Sequence, residues 1–257
     1  MLNEINIAIL PMFFLIFVRI LAFFVVSPLF SYRTIPQIYK IGLAFFCAVL
    51  MLYTMEPVTI SMDQYVFLLL KEVIVGLLIG LIAYIIVSAI QIAGGFIDFQ
   101  MGFAIANVVD PQTGAQSPLI GQYFYIIALL FLLSVDGHHL MLDGIFFSYE
   151  LIPIEQFISI HGDFGTFVIR VFNEMFIIAF QMAIPIVGSL FLVDVALGII
   201  ARTVPQLNVF VVGLPLKIGV SFIAILLFLS LYVTLVRMLF STMFEVMRGL
   251  MALLGGA

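Results

Sequence analysis

The sequence predicts an all-α membrane protein, and three observations predict it. Hydrophobic residues make up 65% of the 257 positions and charged residues only 9%, with a mean hydropathy of +1.34. Soluble domains carry roughly 45–50% apolar residues, and a water-soluble fold could not cover this excess. Charge-free apolar runs recur at 73–90, 119–135 and 218–236, each close to the ~20 residues a helix needs to cross a ~30 Å hydrocarbon layer. Finally, prolines and short polar stretches punctuate the chain between these runs, which divides it into helical segments.

Taken in order, the predicted segments are 5–31, 40–55, 65–92, a broken stretch at 93–118, 119–135, an irregular region at 136–163, then 166–200 and 207–247. The run from Ile5 to Phe30 is too long and uniform for a cleaved signal, because no small-residue cleavage pattern follows its apolar centre. Ser61 and Gln64 resemble a capping box, which places a helix start near Asp63. Pro36, Pro57, Pro111, Pro118, Pro153 and Pro205 mark loops, whereas Pro11, Pro28, Pro185 and Pro215 fall within apolar runs and should kink or break them. Gly76 and Gly80 form a small-residue pair that lets another helix come close. The run 41–55 gives only about 22 Å of helix, short of the hydrocarbon thickness. A segment of that kind rests against protein.

Loop charges favour a cytoplasmic 32–40, which holds Arg33 and Lys40, and external acidic stretches at 56–64 and 136–163. Simple alternation then puts Arg237 and Arg248 outside, in conflict with the same rule. An internal echo also stands out: RTIPQI at 33–38 returns as RTVPQL at 202–207, and KIGLAF at 40–45 as KIGVSF at 217–222. The chain reads as one integral membrane domain over 1–257, with 1–118 and 119–257 as related halves or, equally, two basic, proline-marked caps before apolar helices.

Apolar runs that contain charge are the more informative ones. Arg19, Lys71, Glu72, Asp98, Arg170, Glu174, Asp194 and Lys217 lie within or at the edges of hydrophobic stretches, where each would cost about 2.5–3.5 kcal/mol if it faced lipid. They are expected to be buried or inter-subunit contacts. Arg170 and Glu174 are spaced to pair on one helix face. Lys71 and Glu72 are adjacent, so they diverge around the helix axis and need partners on other helices or subunits.

The stretch DPQTGAQSP at 110–118 is polar and non-helical by composition. At membrane depth such backbone is tolerated only where protein encloses it or it lines an aqueous path; otherwise it is an external turn. DGHHLMLD at 136–143 gathers Asp136, His138, His139 and Asp143, but adjacent histidines diverge on a helix and no HExxH or cysteine ligand accompanies them. Polar contacts at a helix start are the expectation there, with no metal and no cofactor. Cys47 has no disulfide partner in the chain, and no phosphate-binding loop, nucleophile elbow or redox cysteine pair occurs. The reading is therefore of a protein that is not an enzyme, and the sparse charge, net -5, offers no basic patch for nucleic acid.

Four stretches carry a family resemblance: GGFIDFQMGFAIANVVDPQTGAQSPL at 94–119, DGHH at 136–139, VRILAFFVVSPLFSYRTIPQIYKIGLAF at 18–45 and ARTVPQLNVFVVGLPLKIG at 201–219. Together they cover most of the chain, which resembles the FliR family of the bacterial flagellar type III export gate more than its injectisome relatives. The resemblance implies kinked helical hairpins that assemble with FliP and FliQ into a helical gate in the inner membrane at the flagellar basal body. FlhB docks on that core, FlhA surrounds it, and unfolded flagellar proteins pass through with membrane lipid alongside. It further implies that Asp110, Pro111, Gln112, Thr113, Gly114, Ala115, Gln116, Ser117 and Pro118 form the plug of the closed pore. A secondary transporter or proton-coupled carrier is the alternative that buried charges and broken helices also suggest.

Overall fold

The structure, a computed structural model, describes residues 9–32, 34–56, 62–103, 118–156, 164–206 and 208–256. Among them there is no strand. Seven helices follow one another: α1 (Ile9–Val26), α2 (Gln37–Thr54), α3 (Met62–Met101), α4 (Leu119–Ser134), α5 (Gly137–Leu151), α6 (Phe164–Thr203) and α7 (Val209–Gly255). Four of them, α2, α3, α6 and α7, are long and apolar enough to cross a membrane; α4 and α5 together would make a fifth span. The fold is all-α and membrane-embedded, as its composition required.

Several elements differ from the sequence reading. The segment expected to be short at 41–55 and to rest against protein starts earlier, at Gln37 just after Pro36, and with 18 residues α2 is long enough to cross a membrane, with only 17% of that stretch buried in the chain. Helix α1 stops at Val26 rather than near Ser31, because Pro28 follows and Leu29 turns the chain with φ 72°. In that turn the Phe30 N–H donates to the Pro28 carbonyl at 3.0 Å. Helix α3 does not break at 93 but continues through Gly94 and Gly95 to Met101, and Gly94 answers a packing demand described below. Residues 137–151, expected to be irregular, form α5, which begins after Asp136 with φ 55°. Pro185 and Pro215 interrupt neither α6 nor α7; each removes one backbone donor without ending its helix.

The chain forms two compact units. The first comprises 1–86, 133–172 and 241–257. In it α1 packs along α2, with Phe13 and Phe17 meeting the edge of Phe45, and α1 also lies directly on α3. Gly76 and Gly80 make the second contact possible: a Cβ at Gly76 would overlap the Arg19 carbonyl, and one at Gly80 would sit 3.0 Å from the Phe23 carbonyl. Leu15, Ile16, Ile20 and Phe23 of α1 and Val75, Ile79 and Ala83 of α3 are fully buried as a result. Helix α5 and the end of α7 run side by side in the same direction, Gly144 against Met247 and Leu151 against Gly255.

The second unit comprises 87–132 and 173–240. Its closest approach is between α3 and α4, where a side chain on Gly94 would overlap the Gly121 backbone. Ring stacking ties the rest together: Phe124 lies on Tyr232 at 4.4 Å and Phe96 on Phe180 at 5.1 Å. The Tyr232 hydroxyl, which could not be buried unpaired, donates to the Phe124 carbonyl at 2.6 Å.

Candidate functional site

Each unit draws charged and polar side chains together among apolar helices. In the first unit, Arg19, Glu72 and Lys71 are buried together. The Arg19 guanidinium donates through Nε and Nη2 to the two Glu72 carboxylate oxygens, the fork geometry that makes arginine suited to a buried carboxylate. Its remaining donors reach the Ser148 hydroxyl at 3.1 Å and the Ile152 carbonyl at 2.9 Å, and its plane lies 4.0 Å from the Tyr149 ring. Lys71 turns its ammonium back onto Glu72 at 2.8 Å and donates to the Pro153 and Ile154 carbonyls at 2.8 and 3.0 Å. Adjacent on α3, Lys71 and Glu72 were expected to face different neighbours; the flexible four-carbon stem of Lys71 instead brings the two heads together.

Two cations thus share one carboxylate, and the balance is made up by backbone. The carbonyls of 152–154 follow the C-terminus of α5, where helix geometry leaves acceptors without partners and the macrodipole favours positive charge. This explains why Arg19 and Lys71 tolerate burial, since an isolated ion there would lose several kcal/mol of hydration, about 20 in the idealised limit. Ser148, Tyr149 and the 152–154 carbonyls escaped the sequence reading because they are not charged. Pro153, which closes the helix and exposes those carbonyls, was the available signal.

In the second unit the polar groups gather at the end of α3. The buried Asp98 accepts the Ile120 N–H at 3.3 Å with both oxygens, placing a carboxylate on the open amides that begin α4. The Pro118 carbonyl accepts the Gln122 N–H at 2.8 Å. Asp194 of α6 pairs with Lys217 of α7, and Gln100 joins both: its side-chain amide donates to Asp194 at 2.8 Å and its carbonyl accepts from Lys217 at 3.3 Å. Gln100 was missed by reading charges alone; it stands two residues after Asp98, on the other side of the same helix. Arg170 and Glu174 lie one turn apart on α6.

Gly102 ends α3 with φ 90°, and the described chain stops at Phe103 and resumes at Pro118. Because Asp98 binds Ile120, the two ends of that interval are held at one end of the α3–α4 pair. Asp110 to Ser117 of the expected plug lie outside the described residues. Asp136, His138 and His139 bring donor atoms within 4.8 Å of one another at the start of α5. Asp136 and His139 are largely exposed there, and the positive end of the helix opposes a cation.

The profile of the family described as bacterial export proteins, family 1, matches residues 10–243. The chain is 58% identical over 249 residues to flagellar biosynthetic protein FliR of Bacillus subtilis, covering 95% of this chain and 96% of that one. The chain belongs to the FliR family of bacterial export proteins. A FliR protein of Pectobacterium carotovorum is 32% identical, covering 95% of this chain and 94% of its own length. The Yop proteins translocation protein T of Yersinia pestis is 29% identical over 82% of each chain. This member of the FliR family is a membrane subunit of the type III export apparatus, in the flagellar basal body of the inner membrane.

Proposed function

We propose that the chain forms part of the wall of the export channel and that its 110–118 stretch plugs the closed pore. The observation that supports this is the Asp98–Ile120 contact. It anchors both sides of the interval at one end of a tightly packed helix pair, so a polar segment there has a rigid base from which to cover an opening or swing off it. Substrates are unfolded flagellar proteins. The sequence carries no phosphate-binding loop motif, and in this reading the energy for passage comes from elsewhere, chiefly the proton motive force.

FliP and FliQ are the neighbours in this reading, with FlhB docked on the core and FlhA around it. The long apolar helices are consistent with that: the most apolar windows of α6 and α7 are only 22% buried within the chain, which leaves broad faces for sister subunits as well as lipid. Arg170 and Glu174, and the half-exposed Asp194 and Lys217, are proposed to lie where those subunits cover them.

Deleting 111–117 tests the plug. In a gate coexpressed with its partners and reconstituted into vesicles, the deletion should raise ion leakage well above that of the intact gate. Unchanged leakage in a correctly assembled complex would falsify the plug, and failure to copurify with FliP and FliQ would remove the proposed partners.

A further inference from the structure

Helix α5 and the last turns of α7 border a cleft of about 570 Å³ in the first unit, within the range of ligand-binding clefts. Its walls are Leu140, Phe147, Phe244, Met247 and Met251, and three charged side chains open into it: Asp143 from α5, Glu245 and Arg248 from α7. None of the three pairs with another group among the described residues. They sit at one level, because Gly144 meets Met247 where the two helices run side by side. Helix α5 itself spans about 22 Å, too short to cross a bilayer, and carries Asp136 and Glu150 near its ends.

We infer that this cleft binds one phospholipid with a primary-amine headgroup, a phosphatidylethanolamine. Arg248 takes the phosphate, as guanidinium groups do with planar pairs of anionic oxygens. Asp143 and Glu245 take the ammonium, whose three N–H donors let it bridge both carboxylates, and an acyl chain lies on Phe147, Met247 and Met251. The charge pattern decides between lipids. An anionic glycerol headgroup brings a net negative charge to a lining of two acids and one base and no cation to match the second carboxylate, and a choline headgroup has no N–H to donate.

The test is lipid titration of the full chain in its coexpressed gate complex, read by native mass spectrometry with dioleoyl phosphatidylethanolamine, phosphatidylcholine and phosphatidylglycerol in parallel. The ethanolamine lipid should bind with the lowest apparent Kd. Losing one charge-assisted contact should weaken it about tenfold, in Arg248→Gln and separately in Asp143→Asn. Both residues are exposed, so an unchanged thermal midpoint shows that the variants fold. Equal retention of the three lipids, or variants that bind as the parent does, would overturn the assignment. Soluble phosphoethanolamine competing as well as the lipid would do the same, since the apolar walls would then contribute nothing. A Ser241→Cys variant that cross-links to a sister subunit in the intact gate would show polypeptide filling the cleft and overturn the assignment.

Discussion

Arg19 on α1 and Glu72 on α3 join two helices through a two-pronged ion pair in which neither side chain is exposed to solvent. Lys71 adds a second cation to the same carboxylate. Removing Glu72 therefore leaves two buried positive charges facing each other, whereas removing Lys71 leaves a balanced pair. Glu72→Gln should destabilise the protein by about 3–5 kcal/mol. Lys71→Met should do much less, because Arg19 and Glu72 remain matched. Thermal unfolding of the detergent-solubilised complex reads the difference, and equal midpoints for the two variants would show that Glu72 does not neutralise both cations.

Two glycines predict opposite signs for the same substitution. At Gly76 a methyl group would overlap the Arg19 backbone, which cannot rotate away, while at Gly42 nothing lies within 4 Å. Gly76→Ala should push α1 off α3 and lose about 1–3 kcal/mol. Gly42→Ala, in the interior of α2, should gain about 0.5–1 kcal/mol from reduced backbone freedom in the unfolded chain. Denaturation midpoints of both variants check the signs; a stable Gly76→Ala would mean that the helices approach less closely.

Much of this organisation was legible in the residues, and the parts that were not share a cause. Composition and run length announced membrane helices because both follow from one solvent's demand. Arg19, Glu72 and Asp98 announced themselves as buried because lipid could not accept them. Helix α5 stayed hidden, since its polar residues sit among apolar ones without a clean helical stripe and its start is a left-handed Asp136. The continuation of α3 through Gly94 and Gly95 was hidden too. Local propensity argues against a helix there, and only the Gly121 backbone of α4, distant in sequence, explains why glycine is needed at 94.

Asp98 carries a prediction that separates stability from gating. Its carboxylate holds the Ile120 amide at the start of α4, so Asp98→Ala should destabilise by about 1 kcal/mol, the usual loss for a helix-start contact. If 110–118 is the plug, loosening its base should also raise leakage through the reconstituted gate, though less than deletion of 111–117 does. Asn at the same position keeps an acceptor and should fall between Asp and Ala in both measurements. A leak that does not follow that order would separate the loop from its anchor.

Asp194 and Lys217 allow the surroundings of the wall to be measured from the size of one effect. Their side chains are 37% and 20% exposed in the single chain. With water around them such a pair contributes about 0–1 kcal/mol. Covered by a sister subunit, the same pair would be desolvated, and breaking it would cost about 3–5 kcal/mol. Lys217→Glu should accordingly leave the thermal midpoint of the isolated chain nearly unchanged while sharply reducing the yield of the complex with FliP and FliQ. Exchanging the pair, with Asp194→Lys added, should recover much of that yield, because the charges match again even though Gln100 loses its acceptor. Normal complex yield for Lys217→Glu alone would mean that water, not protein, surrounds the pair in the assembled gate.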